Sequence, residues 1–279
     1  MVSNAFGYVD TMTLLCSRSL PKDLMKWLRR RYGRRLIAQR LTIPKRPGLW
    51  YGLVTVHQPD IETLALLTKL LPSPVLHAVH IAVDFFPANV QQTSLATRYL
   101  RRGLLLKWRG NGQLSHQYEA TTYAKRQPAS PRNYALYGDK LSKTGRGPCA
   151  HLEFRFRGAA ACKRAGVGDL NRLIQGVNLM DLLTRQAKIA FIDRKRLERQ
   201  IEIYARSTAR ARQSTVSAER ARIKQRFAFM LHEDDNPVDE HTLAKARSQV
   251  LWDIRAKQRT CLKVTPWSDF TPPPVWWRW

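Results

Sequence analysis

The pattern of apolar and polar positions changes character near residue 158. Before that point, short apolar or alternating runs are interleaved with helical periodicities. Gly7 to Cys16 (GYVDTMTLLC) predicts a first strand, and Pro21 opens a helix with Leu24, Trp27 and Leu28 at helical spacing. Strands are predicted over Leu36 to Ile43 and Trp50 to His57. Asp60 then caps a helix carrying Ile61, Leu64, Leu67 and Leu71. A strand over His77 to Phe86 and a helix near Thr93 to Arg102 follow. Next comes a meander over about Leu104 to Arg109, Tyr118 to Ala124, Asn133 to Tyr137 and Ala150 to Arg157. Its breaks carry the turn residues Gly110-Asn111-Gly112, Pro128 to Pro131 and Gly145-Arg146-Gly147.

From Ala159 on, strand signals vanish. Helices are predicted over Leu170 to Phe191, Arg194 to Arg212, about Ala218 to Leu231 and, after the acidic break HEDDNPVDE, near Glu240 to Lys257. The expected fold is α+β: a mixed, mainly antiparallel sheet with crossover helices, followed by a helical C-terminal region. Residues 1–183 form the α+β part, 184–258 a basic helical region and 259–279 a tail rich in proline and tryptophan.

Two of the predicted strands carry unusual residues. Side chains alternate across a strand, so His80, Ala82 and Asp84 share one face of the first. His151, Glu153, Arg155 and Arg157 share a face of the second. A core strand carries an acid inward only when the charge is paired or bound to metal. Set side by side, these strands would gather His80, Asp84 and Glu153 around one divalent ion, with His151 as a spare or supporting ligand. Ion pairs with the neighbouring arginines are the alternative for the acids, and a satisfied core histidine the alternative for His80.

Charge then narrows the partner. Lys plus Arg number 48 against 21 Asp plus Glu, a net charge of +27, which self-repels unless a polyanion is bound. Nucleic acid is the expected partner, contacted through Arg29, Arg30, Arg31, Arg34 and Arg35 on one helix face. A second basic surface holds Arg194, Lys195, Arg199, Arg206 and Arg210. No stretch approaches the roughly 18 apolar residues that span a membrane. MVSNAFGYVD lacks the pattern of a signal peptide, so the host cytoplasm is the expected location. The four cysteines form no CxxC pair and are expected to be reduced thiols.

Three blocks resemble the rolling-circle replication initiators, in particular the filamentous-phage gene II and X replication proteins and, more loosely, the plasmid replication initiation factors. VHIAVDFF (Val79 to Phe86) is similar to the family's strand with a central Asp, and YALYGDKLSK (Tyr134 to Lys143) to its Tyr-Asp-Lys strand. HLEFRFRGAAACKRAGVGDLNRLI (His151 to Ile174) is similar to its R-x-E-x-R strand and the helix after it. His80 stands where the family has an acid, His151 where it has an arginine, and Gly138 interrupts the Tyr-Asp-Lys triplet.

The resemblance implies an HUH-like Rep nuclease fold and a Mg²⁺- or Mn²⁺-dependent enzyme. Such an enzyme nicks one strand of a phage or plasmid origin through a tyrosine and later rejoins it. It implies double- and single-stranded origin DNA as partners, together with host helicase and polymerase. The phenol, with a pKa of about 10, must lose its proton to attack. Tyr204, the tyrosine that follows Glu153 in the chain, is the first candidate on chain order, with Tyr137 and Tyr134 next. On helical spacing Tyr204 falls with Leu197, Ile201 and Thr208, an apolar stripe on which a tyrosine is more often core than catalytic. Lys140 is placed to contact phosphate or offset transition-state charge. A non-catalytic single-stranded DNA-binding protein of the same family is the alternative. The tail tryptophans would stack on bases or cap a groove on the chain itself.

Overall fold

The computed structural model describes residues 2–16, 20–42, 50–71, 74–106, 116–118, 121–123, 131–138, 140–192, 194–226 and 262–270. The expected helix near Glu240 to Lys257, the acidic break, Trp276, Trp277 and Trp279, and the turn at Gly110 to Gly112 lie outside them. So does most of the predicted turn at Pro128 to Pro131.

The chain begins with β1 (Val2–Cys16), α1 (Lys22–Tyr32), β2 (Leu36–Thr42), β3 (Trp50–His57), α2 (Ile61–Leu70) and β4 (Val75–Pro87). Then come α3 (Thr93–Gly103), β5 (Leu104–Leu106), β6 (His116–Tyr118), β7 (Thr121–Tyr123), β8 (Arg132–Tyr137) and β9 (Ala150–Arg157). Eight strands form one sheet in the order β2-β3-β1-β4-β9-β8-β7-β6, and every pairing in it is antiparallel. The α+β class expected from the sequence is the class observed, with a sheet antiparallel throughout its described strands.

One face of this sheet is apolar and carries the core. Val79, Ile81, Val83 and Phe85 of β4 lie beside Leu152, Phe154 and Phe156 of β9, all fully buried. Each such side chain contributes about 1.5–3 kcal/mol relative to exposure. From β1 this core receives Ala5 and Val9, then Met12, Leu14 and Cys16, while buried Phe6 and Tyr8 pack with Ala82 in a separate cluster. The parity changes because Val9 pairs with Ile81 and Thr11 with His80, leaving Asp10 as one extra residue, a β-bulge. The other face is polar at its centre and holds the residues discussed below.

Helices cover the apolar face. Leu24, Leu28 and Tyr32 of α1, Leu64 and Leu67 of α2, and Ala96 and Leu100 of α3 enter the same core as the strands. Asp60 caps α2, its side chain accepting from the Thr63 amide at 2.8 Å, as the sequence predicts. After β9 come α4 (Ala159–Arg164), α5 (Leu170–Gln175) and α6 (Leu179–Gln186). A Cβ at Gly7 would come within 2.9 Å of a Leu179 methyl, so the glycine gives the Leu179 side chain of α6 room against β1.

The expected single helix over Leu170 to Phe191 is therefore corrected. Gly176, at φ 91°, ends α5, and Asn178 caps α6. The run AKIAFI then forms a strand, β10 (Ala187–Ile192), where strand signals were expected to be absent. It pairs antiparallel with β5 on one side and with β11 (Leu262–Thr265) on the other, in a separate three-stranded sheet. Its partners lie far away in sequence, so local pattern could not reveal it. For the same reason β5 leaves the expected meander, and the strand expected over Tyr118 to Ala124 is two strands, β6 and β7. The small sheet draws one strand from each of the three expected segments.

The remaining described elements are α7 (Arg194–Arg212), α8 (Val216–Arg226), which packs on α7, and the short α9 (Trp267–Phe270). No helix among the described residues is long and apolar enough to cross a membrane. Trp267, a tail tryptophan, is buried. Its ring stacks on Phe85 at 6.1 Å, and its indole N–H donates to the Ala187 carbonyl at 3.2 Å. Phe270 stacks on Tyr99 at 5.0 Å. Of the two roles expected for the tail tryptophans, Trp267 takes the one of capping the chain's own surface. Trp267→Ala should lower unfolding stability by about 3–5 kcal/mol, read from urea denaturation. A loss under about 0.5 kcal/mol would show that this contact is not part of the core.

Candidate metal centre

The polar face is centred on β1, β4 and β9, three neighbouring strands. Antiparallel pairing sets Asp84 opposite His151, Ala82 opposite Glu153 and His80 opposite Arg155. On the other side of β4, Phe6 faces Asp84, Tyr8 faces Ala82 and Thr11 faces His80. The bulge puts Asp10 on the same side as Thr11. The face expected from alternation alone is thus present, with β1 adding an acid that the sequence reading did not select.

The structure divides the expected ligand set in two. Among the described residues, ligand atoms of Asp10, His80 and Glu153 lie within 4.8 Å of one another, and so do those of Asp84, Cys149 and His151. Asp84 and Glu153, expected to share an ion, share the face but belong to different groups. They are diagonal neighbours, a separation of about 7–8 Å in such a ladder.

The two groups differ in chemistry. Asp84 is fully buried and accepts from the Ser142 hydroxyl at 2.5 Å and from His151 Nδ1 at 2.6 Å. Burial and the Asp84 carboxylate push the Cys149 thiol up, so it stays protonated and donates to Asp84. Three donors thus meet the Asp84 carboxylate, and the thiol beside it is held in its protonated form. His151 Nε2 is buried with no hydrogen-bond partner among the described residues. The ring lies beside those of Tyr137 and Tyr8, at 5.3 and 6.2 Å.

In the first group, Glu153 is buried and Asp10 nearly so, while His80 is partly exposed. His80 Nδ1 lies 2.8 Å from Glu153 Oε1, and Arg155 grips both Glu153 oxygens from Nε at 3.0 Å and Nη2 at 2.9 Å. Burial alone would raise the Glu153 carboxyl, but hydrogen bonds from His80 and Arg155 and the Arg155 charge hold it well below the usual carboxylate range. Asp10 receives the Thr11 hydroxyl at 3.1 Å and the Lys143 ammonium at 2.6 Å. Thr11 also meets His57 Nδ1 at 3.0 Å, and burial shifts that imidazole downward, toward its neutral form. Two carboxylates and an imidazole suit Mg²⁺ or Mn²⁺, and the ammonium on Asp10 already shows that a cation is accommodated there.

The candidate tyrosines part company. Tyr134 points into the core. Tyr137 stands opposite His151 on the polar face, where its hydroxyl accepts from Arg155 Nη2 at 2.7 Å and Lys140 Nζ lies 4.2 Å from its ring centre. Burial, together with the Glu153 charge, pushes its phenol up, partly offset by Arg155. Tyr204, on α7, is 45% exposed. The buried stripe of that helix runs through Ile201, Ala205 and Ala209, so Tyr204 does not lie on a core stripe as its spacing suggested. The side chain of Leu197 lies outside the described residues.

Of the basic residues, Arg29, Arg30 and Arg34 are exposed on and just after α1. Arg31 pairs with Asp60 at 2.6 Å and Glu62 at 2.9 Å, and Arg35 donates to Gln58 at 3.3 Å, so these two also brace the fold. On α7, Lys195, Arg199, Arg206 and Arg210 are exposed, and Arg206 pairs with Glu202 at 3.2 Å. Arg194 begins that helix, and its side chain is outside the described residues.

The sequence reading missed Asp10, Ser142, Lys143 and Cys149. For Asp10 a signal was present: an acid inside an apolar strand, the same signal that singles out Asp84.

No family model matches the sequence, and no curated protein does. Among solved structures, the fold is similar to that of a rolling circle replication initiator protein from Geobacillus stearothermophilus. The TM-score is 0.37 and the identity 10%, over 67% of this chain and 87% of that one.

The lowered Glu153 carboxyl has a pH consequence. Its contribution to stability is complete above the unfolded value of about 4.3 and fades as pH falls from there toward the folded value. Glu153→Gln should therefore cost about 3–5 kcal/mol at neutral pH, the scale for breaking a buried pair. The gap to the wild type should narrow below about pH 4. Urea midpoints across pH 3–7 check this, and a gap independent of pH would contradict it.

Proposed function

We propose that the protein is a metal-dependent, tyrosine-type DNA nicking and joining enzyme that starts rolling-circle replication of a phage or plasmid. The observation that carries this reading is the convergence of Asp10, His80 and Glu153 from three adjacent strands, with a phenol linked to Glu153 through Arg155. The net charge of +27 supplies the attraction for a phosphodiester backbone.

Asp10, His80 and Glu153 would hold Mg²⁺ or Mn²⁺, which supplies polarisation of the scissile phosphate. Tyr137 is the attacking group that this geometry favours. Arg155 on its oxygen favours loss of the phenolic proton and partly offsets the upward push of burial and the Glu153 charge, while Lys140 lies against its ring. As the phenolic oxygen bonds to phosphorus, the bond to the 3′ oxygen breaks, leaving a 5′-phosphotyrosine and a free 3′-OH. Attack by a 3′-OH on the same phosphorus reverses the step and closes the strand. Asp84, His151 and Cys149 serve a supporting role, anchoring Ser142 and the segment that carries Lys140 and Lys143. Arg29, Arg30, Arg34 and the exposed cations of α7 would track the backbone on either side.

Tyr204 remains the second choice for nucleophile on its exposure and its place after the metal strands. The alternative of a non-catalytic single-strand binder is supported by one observation: Lys143 and Arg155 pair with the two acids.

Supercoiled plasmid carrying the origin of the replicon that encodes the protein provides the test. With Mn²⁺, relaxed circles and an SDS-resistant protein–DNA adduct are expected. EDTA or Asp10→Asn should abolish both while salt-sensitive binding persists. Mass spectrometry should map the adduct to Tyr137, and Tyr137→Phe should lose it. Loss in Tyr204→Phe instead would transfer the role to Tyr204. Gel retardation with no relaxation would leave only the binding protein.

A further inference from the structure

The ammonium of Lys143 contacts Asp10, one of the three candidate ligands. Its Nζ is 2.6 Å from Asp10 Oδ1; the Asp10 side chain is 6% exposed and that of Lys143 44%. Asp10 is therefore a buried charge whose counter-ion reaches in from solvent. The residues around Lys143 are anchored independently of this pair. The Ser142 amide donates to the Gly147 carbonyl at 2.8 Å and the Gly145 amide to the Ser142 carbonyl at 3.1 Å. Leu141 bridges to Pro148. The Ser142 hydroxyl is fixed to Asp84, and the Arg146 guanidinium lies 3.9 Å from the Phe6 ring centre. Gly145 and Gly147, at φ 75° and 103°, give the turn a shape that other residues rarely adopt. The long lysine side chain can thus swing into solvent while the turn keeps its place.

We propose that Lys143 is a displaceable counter-ion. It neutralises Asp10 in the absence of a divalent ion and leaves when one binds, so that metal affinity is set by competition with the protein's own ammonium. This rests on the reading of Asp10, His80 and Glu153 as a cation site. An ammonium and a divalent ion cannot both touch one carboxylate oxygen, since like charges a few ångströms apart repel strongly in a part-buried site. Without Lys143, Asp10 would keep the Thr11 hydroxyl but lose its cationic partner, a costly state for a buried charge. Arg155 differs: it holds Glu153 through two nitrogens and also binds Tyr137, so it stays when Lys143 leaves.

Calorimetric titration of the full chain with MnCl₂ tests the competition. Lys143→Met should bind Mn²⁺ roughly tenfold more tightly than wild type or better. Arg146→Gln, which removes one charge from the same turn, should stay within about twofold. Equal affinity in Lys143→Met and wild type would overturn the proposal, as would equal tightening in Arg146→Gln. The wild-type chain gives a second measure that needs no variant to fold. Acetylation of Lys143, followed by mass spectrometry, should rise several-fold on adding Mn²⁺. Labelling unchanged by Mn²⁺ in a chain that binds the ion would also overturn the proposal. If no binding sensitive to Asp10→Asn is seen in any form, the cation site itself is wrong, and the displacement idea falls with it.

Discussion

Three carboxylates removed from water on one face of a sheet constrain the rest of this molecule. Asp10, Asp84 and Glu153 are at most 5% exposed, and a buried charge persists only where donors or cations meet it. Each is met differently. Asp84 takes neutral or imidazole donors from Ser142, His151 and Cys149, Glu153 takes Arg155 and His80, and Asp10 takes Thr11 and Lys143. The first arrangement is closed. The third depends on a flexible ammonium reaching in from solvent, and it is there that the site can exchange its cation.

The scaffold makes this possible by keeping its two faces distinct. The apolar face of β1, β4 and β9 is buried under helices, with α6 brought close over Gly7, so strand register on the polar face is firmly set. The bulge at Asp10 then lets β1 present an acid to the polar face and, two residues later, return Met12 to the core. Ala82, opposite both Tyr8 and Glu153, keeps the middle of that face low. A small acidic centre is thereby held within a chain of net charge +27. That contrast suits a phosphodiester drawn to the surface by charge and engaged at one point by a metal.

Much of this was legible in the sequence because the relevant strands are strongly patterned. Trp50 to His57, Ala150 to Arg157 and Arg194 to Arg212 appear with the expected bounds. The shared face of His80, Asp84, His151 and Glu153 follows from period-two alternation alone. What escaped was the pairing of groups within that face. Alternation tells which side a residue occupies, but cross-strand register decides which neighbours it meets. Asp10 was legible only as an acid inside an apolar strand; the bulge was not, because Phe6, Tyr8 and Leu15 are apolar as well and hide the change of parity. Ser142 and Lys143 were not, since a turn residue's long-range partner leaves no local trace. β10 escaped for a related reason, being stabilised by β5 and β11 from far along the chain. On α7 the buried positions are Ile201, Ala205 and Ala209, and the exposed Tyr204 is not among them.

The most direct measurement is anomalous diffraction from crystals of the protein grown with Mn²⁺. A single manganese peak bonded to Asp10, His80 and Glu153 is expected, with the Lys143 side chain withdrawn from Asp10 and the Asp84–His151 hydrogen bond intact. Manganese bound instead between Asp84, Cys149 and His151, or no peak on this face at saturating metal, would contradict it.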